Sequence, residues 1–293
     1  MSELRPASPL RRPDTARPRE GSIPQVEPPS PEELLSIQRH LVMLPEWEGG
    51  TIEVDDALGV TLVRGPGNGP DSSYAAMPRW SVGSWPDRLH RVSERMRTDG
   101  TWPSLLWCDH FDRPLGLDRE LERLGWVQAL GETVLWVGHA SVVPHLDPQL
   151  RIEAVQPRSL ATHEMLERRI FGIDAAHAER RRTGLLDTLE AGRLRAWIIW
   201  LADEPVAVAR LSQGDGVAAI QGVGVVPGRR GQGFGTLVTT VATRAGLALG
   251  NRIVWLSVRE DNETAVRVYS GLGFERAFAW SRYLVTEDPR PRG

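Results

Sequence analysis

The sequence contains no lysine: all 35 of its basic residues are arginine. Without lysine it cannot build a phosphate loop of the Walker A type, whose lysine reaches the β- and γ-phosphates. Nor can it form a pyridoxal-phosphate Schiff base, use a lysine nucleophile, or run ordinary kinase chemistry. GC-rich codon usage, which favours arginine and proline, accounts for the bias, and the exclusions hold whatever its origin. Cysteine is almost as scarce. The single Cys108 rules out an intrachain disulfide and any cysteine-rich metal centre, and no metal is expected. No apolar run approaches the ~20 residues of a bilayer span, and no apolar segment near the amino terminus resembles a signal peptide. A cytoplasmic protein with no membrane partner is therefore expected. A formal charge of −3 supplies no bulk basic field, so nucleic acid is not an expected partner either.

What remains is ordinary for a globular chain: 293 residues, 41% hydrophobic and 25% charged, enough for about two domains. Residues 1–31 are rich in Pro, Arg and Ser and nearly empty of large apolar side chains. Such a segment buries too little surface to offset its ordering entropy, so a disordered tail is expected there. Domains are expected at 32–145 and 146–293, joined through an aperiodic stretch at 138–149 that carries two prolines.

In the first domain, helical spacing over 32–44 is stopped by Pro45. A strand follows at 58–63, a Gly- and Pro-rich loop at 65–70, and a helix at 87–97. A strand at 105–107 precedes a helix at 117–124, closed by Gly125, and a strand at 126–137. The second domain opens with a strand at 151–155 and helices at 158–170 and 176–190. Strands are expected at 196–202, 206–211 and 217–226, with Asp215-Gly216 as a hairpin turn. A helix at 234–249, a strand at 253–258, a helix that Asn262 caps and that runs to about 270, and strands at 274–278 and 280–285 complete the chain. The mixture implies an α/β or α+β layer fold.

The chemistry concentrates in 223–235. A strand ends at Val226, and Pro227 forbids its continuation as a central strand. Arg230, Gly231, Gly233 and Gly235 then lead straight into an amphipathic helix. Glycines let successive backbone N–H groups turn toward one point, and the helix start adds a positive dipole end. The expected ligand is a phosphate or pyrophosphate; the plain alternative is a tight turn without a ligand. The glycines alternate as G-x-G-x-G, and 253–258 offers no acid at the dinucleotide distance, so the Rossmann fingerprint does not fit. A second cluster spans 256–274. Asn262, Ala265 or Val266, and Tyr269 share one helix face, since seven residues make two turns. Taken alone, Asn262 is a cap and Tyr269 a core aromatic.

Together, V-x-P-x-x-R-G-x-G-x-G at 225–235, a helix, a strand and N-x-x-A-x-x-x-Y-x-x-x-G-F at 262–274 resemble the GNAT superfamily of N-acetyltransferases. The resemblance covers roughly 151–285. It implies two GNAT-like domains, each a mixed, mostly antiparallel twisted sheet flanked by helices, with the first a degenerate copy. In the first half, 105–107, 117–124, Gly125 and Trp126 echo 253–258, 266–272, Gly273 and Phe274. Leu121 then stands where Tyr269 does and Pro114 where Asn262 does, and no R-x-x-G-x-G precedes the early helix.

The resemblance further implies acetyl-CoA as acyl donor, with Arg230, Gly231, Gln232, Gly233, Phe234, Gly235 and Thr236 around its pyrophosphate. Val223, Gly224 and Val225 would lie beside the pantetheine arm, with Asn262 near it. Tyr269 would return a proton to the leaving thiolate, and a backbone N–H near Val225 would hold the oxyanion. The acceptor would be an amine of a small molecule or peptide, and a homodimer is compatible with this arrangement. Many relatives carry a carboxylate on the strand before the nest. Here Gln221 shares parity with Val223 and Val225 and is expected to face the acceptor, but an amide is no base. The alternative function is a sensor or scaffold that holds acetyl-CoA without turnover.

Other residues are expected to be bland. Cys108, Asp109 and His110 alternate across a strand and cannot form a nucleophile–base pair. His163 and His177 are expected on helix surfaces near the acceptor, and 180–182 as a solvated arginine face.

Overall fold

The computed structural model of the protein describes residues 26–65, 73–141 and 148–285. Most of the expected tail, of the loop at 65–70 and of the stretch around the expected domain boundary at 145/146 lies outside the described residues.

Order begins earlier than composition suggests. Arg252 donates to the Glu27 carbonyl at 3.0 Å and pairs with Glu33. Ser30 then caps helix α1 (Pro31–Met43) reciprocally: its backbone N–H donates to Glu33 Oε2 at 2.8 Å, and its hydroxyl accepts from the Glu33 N–H at 3.3 Å. Pro31 occupies the first helical position, where no N–H is needed.

Two successions of elements repeat along the chain. Strands β1 (Thr51–Asp55), β2 (Val60–Arg64) and β3 (Ser73–Ala76) lead through helix α2 (Trp85–Thr98) to β4 (Ser104–Trp107), α3 (Leu117–Arg123) and β5 (Trp126–Val137). After β6 (Leu150–Ala154), α4 (Leu160–Phe171) and α5 (Ala175–Glu190), the same order returns. It runs β7 (Leu194–Leu201), β8 (Glu204–Gly214), β9 (Val217–Val225), α6 (Phe234–Ala248), β10 (Ile253–Val258), α7 (Glu263–Gly271) and β11 (Glu275–Val285). In each succession the first three strands are antiparallel and the third pairs in parallel with the fourth. Gly125 and Gly273 end the corresponding helices with nearly identical φ of 85° and 86°.

The expected mixed, mostly antiparallel sheet flanked by helices is what the chain forms, and the sheets of the two halves are joined into one. The order is β1-β2-β3-β4-β11-β5-β10-β9-β8-β7-β6. The last strands are exchanged: β11 pairs with β4 of the first half, and β5 pairs with β10 of the second. Residues 134–137 of β5 are buried on both faces, as a strand in the middle of a sheet must be. The two short strands expected at 274–285 are one, β11, irregular between Arg276 and Phe278.

Side-chain parity sorts the core into layers. Tyr74, Leu106, Val134 and Trp255 face α1, whose Ile37, Leu41 and Val42 cover them. The alternate residues Ala75 and Leu105 face α2 and α3, and Leu135, Val254 and Leu256 face α6 and α7. The α1 side therefore closes over the middle of the sheet, and the helices of both repeats share the other side.

Two expectations of exposure fail beside α1. His163 is 1% exposed, and Arg181 is 5% exposed. Arg181 reaches Glu167 at 3.0 Å and Glu48 at 3.2 Å, while Arg210 reaches Glu48 at 2.7 Å and Glu167 at 3.0 Å. Helix α5 can come this close because Gly184 lies backbone to backbone against Gly49; a Cβ on Gly184 would stand 2.3 Å from the Gly49 nitrogen. Burial would raise the Glu48 carboxyl, but Arg210 and Arg181 outweigh it and hold it below its ordinary value. A solvated face and a buried ion cluster have the same local sequence; the packing of α5 decides between them.

Candidate functional site

The β9–α6 junction has the expected construction. A short 3-10 turn (Pro227–Arg229) follows β9, Arg230 is extended at φ −65°, and α6 begins at Phe234. Gly231 and Gly233 have φ of 76° and 85°, a left-handed conformation that costs a side-chain-bearing residue energy. A Cβ on either would meet nothing within 4 Å, so the concave side of this loop is open. The first amides of α6 have no partner within the helix, and their residues, Phe234, Gly235 and Thr236, line that opening. Arg230 folds back to donate to the Val225 carbonyl at 3.4 Å, and Arg229 is held by Glu204.

A cavity of about 700 Å³ runs from this loop to α7. It brings together Val223, Gly224, Val225, Arg230, Gly231, Gly233, Phe234, Gly235, Thr236, Asn262 and Tyr269. Of the residues expected around the pyrophosphate only Gln232 is outside this lining; its side chain is exposed. The end of α4 forms one wall, pressed so closely that a Cβ on Gly224 would stand 2.6 Å from Ile170 and 2.7 Å from Phe171. The Asn262 side chain accepts from the Ala265 N–H at 3.2 Å, so it caps α7 while lining the cavity. Tyr269 lies two turns on, 7% exposed, its ring tilted against Phe274. Burial, with the Glu132 charge adding to it, pushes its phenol up to about 12.

Beside the cavity the sheet splits. β9 and β10 pair only from Val217/Ile253 to Ile220/Leu256. Beyond that, β9 follows β8 and β10 follows β5, leaving a slot between parallel strands. A bulge sets the divergence: Val208 pairs with Gly224 but Arg210 with Gln221, so Gly222 and Val223 together face Ala209. Gly222 has φ 59°, and a Cβ on it would stand 2.9 Å from Glu167 Oε1, directly over the buried ion cluster.

The bulge overturns the parity expected for Gln221. One extra residue reverses the alternation, so Gln221 lines a second cavity, of about 360 Å³, on the α1 side of the slot. There its Nε2 donates to Ser212 Oγ at 2.7 Å. Ser212 in turn meets His40 Nε2 at 3.3 Å, and His40 Nδ1 accepts from Trp255 at 3.2 Å. Burial pushes His40 down to about 3, so the ring is neutral and its proton sits on Nε2. An amide that donates on this side has its carbonyl oxygen on the opposite edge.

The sequence reading missed the residue across this second cavity, Glu132 of β5. Its side chain is half-buried and has the parity of Val134 and Trp136, toward α1. Its local signal was an acid next to the buried run 133–137, which by itself named no partner. His163 and His177 line neither cavity. Cys108 is buried, and burial raises its thiol far above the usual range. Among the described residues no group of three or more His, Cys, Asp or Glu is placed to hold a metal ion, and no helix is long and apolar enough to cross a membrane.

Residues 160–274 match the acetyltransferase (GNAT) family. A mycothiol acetyltransferase of Kineococcus radiotolerans is 32% identical over 203 residues, covering 64% of this chain and 63% of that protein. One of Frankia alni is 50% identical over 52 residues, 18% of this chain and 16% of that protein. The chain thus spans less than two thirds of the length of either relative. Among solved structures, a GCN5-related N-acetyltransferase from Kribbella flavida superposes with a TM-score of 0.67 at 19% identity, covering 86% of this chain and 97% of that one. A tandem GNAT protein from the clavulanic acid biosynthesis pathway superposes at 0.59 and 16% identity, over 80% of this chain and 79% of that one. At these identities the likeness is one of fold.

Proposed function

We propose, from the acetyltransferase (GNAT) family domain that the chain carries over residues 160–274, that the protein moves an acetyl group from acetyl-CoA to a primary amine of a small molecule. The observation that carries this reading is one continuous cavity that joins an open, glycine-lined helix start to Tyr269 beside a slot in the sheet. The amides at the start of α6, with Arg230, would hold the pyrophosphate. Val223, Gly224 and Val225 would lie along the pantetheine arm and Asn262 beside it. The backbone N–H near Val225 would stabilise the developing oxyanion. Tyr269, protonated at any ordinary pH, would give its proton to the departing thiolate. The amine would enter from the α1 side, where Gln221 stands. Because relatives carry the name mycothiol acetyltransferase, a thiol-bearing small amine is the first acceptor to assay.

The direct test is release of CoA thiol by the purified chain with a panel of small primary amines. Tight acetyl-CoA binding without release for any amine would favour the sensor or scaffold alternative. Gly235→Val tests the nest separately. Gly235 has ordinary backbone angles, and its nearest neighbour to a Cβ is Val225 at 3.7 Å, so the fold accommodates the change. We expect calorimetry to show acetyl-CoA affinity reduced about tenfold or more, ~1.4 kcal/mol, because the side chain fills the space of the phosphates. Unchanged affinity would remove the nest from the binding site.

The same reading assigns one donor site per chain. Leu121 replaces Tyr269 in the first repeat and is fully buried in its core. A titration is expected to give one acetyl-CoA per chain; two equivalent sites would contradict it.

A further inference from the structure

We propose that Glu132, on the strand that the first half inserts into the second, is the base that takes the proton from the attacking amine. This rests on the acetyl-transfer reading above and supplies the carboxylate that β9 lacks. Four observations carry it.

First, strand exchange puts Glu132 beside the slot. β5 pairs with β10 through Val258 and Thr133, so Glu132 lies at the end of that pairing, next to where β10 leaves β9. Second, Glu132 and Gln221 line the same cavity, on the side of the sheet opposite the nest. The end of α1 and the start of the 3-10 turn that follows it (Leu44–Glu48), through Leu41, Leu44 and Pro45, roof it, and its volume is that of a small-molecule pocket. Third, a hydroxyl held by Trp280 stands beside the carboxylate. Trp280 Nε1 donates to Ser257 Oγ at 2.8 Å, and Ser257 lines the same cavity as Glu132, where its hydroxyl helps hold the carboxyl down. Fourth, Glu132 also borders an open trough with Gln128, Arg259 and Asp261, which gives its proton a way out to solvent.

The charge environment suits a base. Burial raises the Glu132 carboxyl, and the Ser257 hydrogen bond with the positive charges of Arg259 and Arg282 offsets part of the rise. The groups that face it are Arg282 from β11, Arg259, Glu260 and Asp261 after β10, Tyr74 from β3 and Tyr269 from α7. Trp255, Trp280 and Tyr74 wall the cavity, and a carboxylate among aromatic faces favours a cationic amine on entry.

The step balances. The entering ammonium first gives one proton to Glu132, which passes it to solvent through the trough; the neutral amine then attacks the thioester carbonyl, and the C–N bond forms while a second proton passes to Glu132. The C–S bond then breaks, and the thiolate takes the Tyr269 proton. Glu132 loses its proton through the trough and Tyr269 regains one, leaving amide and thiol. The first half would thus be part of the active site and not merely a scaffold.

Glu132→Gln tests this, since it keeps the size of the side chain and removes only its charge and basicity. With a panel of an amino-acid amide, an aminosugar and a diamine, kcat/KM should fall about 100-fold. The Kd for acetyl-CoA, measured by calorimetry, should stay within about twofold, because its cavity lies across the slot. The acid limb of the wild-type kcat/KM profile should lie above the ordinary carboxylate range and vanish in the variant. An infrared difference spectrum, wild type minus variant, should contain a carboxyl band that titrates at the same pH. Formate added to Glu132→Ala should restore part of the rate. A wild-type chain that turns over while Glu132→Gln matches it at every pH overturns Glu132 as the base and leaves acetyl transfer standing. A wild-type chain that releases no thiol with any amine overturns both.

Discussion

Replacing Tyr269 by Phe is expected to lower kcat by about 10²–10⁴ while leaving the Kd for acetyl-CoA nearly unchanged. The substitution keeps the ring that lines the cavity and packs against Phe274, and removes only the hydroxyl. If that hydroxyl protonates the leaving thiolate, its loss is felt in the chemical step and not in donor binding. The pH dependence sharpens the test. A free phenol ionises near 10, but burial and the Glu132 charge push Tyr269 up to about 12. A raised phenol stays protonated as pH rises, so no loss of wild-type rate through its ionisation is expected below about 12. The Phe variant should be slow across the whole of that range. Its deficit should shrink only with donors whose thiolate leaves without protonation. A variant with near-normal kcat at all pH would make the ring structural and water the proton source.

Arg210→Met is expected to destabilise the fold by about 3–5 kcal/mol, the usual consequence of removing one partner from a buried ion cluster. Arg210 contacts both Glu48 and Glu167, at 2.7 and 3.0 Å, and without it Arg181 alone faces the buried Glu167 and the half-buried Glu48. The cost comes from the stranded negative charge more than from the lost pairs. Neutralising one carboxylate in the double variant Arg210→Met/Glu167→Gln should therefore recover part of it. Urea midpoints of the wild type and both variants measure this. Arg180, exposed on α5 next to Arg181, is the control, and its replacement by Met should shift stability by no more than about 0.5 kcal/mol. A loss for Arg210→Met as small as that control would make the cluster a surface feature. The cluster also lies under Gly222, so the bulge that opens the slot rests on it.

Much of this protein was legible from residue order alone. Pro227 followed by alternating glycines dictates a strand end and a helix start, and those glycines permit the left-handed turns found at Gly231 and Gly233, because such conformations depend on each residue's own backbone. Asn262, two turns before Tyr269, fixes a cap and a shared helix face for the same reason, and the two residues do line one cavity. The boundaries of β5 and β10 also followed directly, since β-branched and aromatic runs between turn residues have few other conformations. What sequence could not determine is every relation between distant residues. The bulge at Gly222 reverses the parity of Gln221, a fact set by β8 across the ladder. His163 and Arg181 carry the local pattern of surface residues and are buried because α5 packs against Gly49. Glu132 stands 91 residues before Val223, on a strand that belongs by chain order to the other half. Only the exchange of β5 and β11 brings it to the slot. Local conformation is a property of short stretches and is written in them; which strand pairs with which depends on how much surface the whole sheet buries, and only the folded chain decides it.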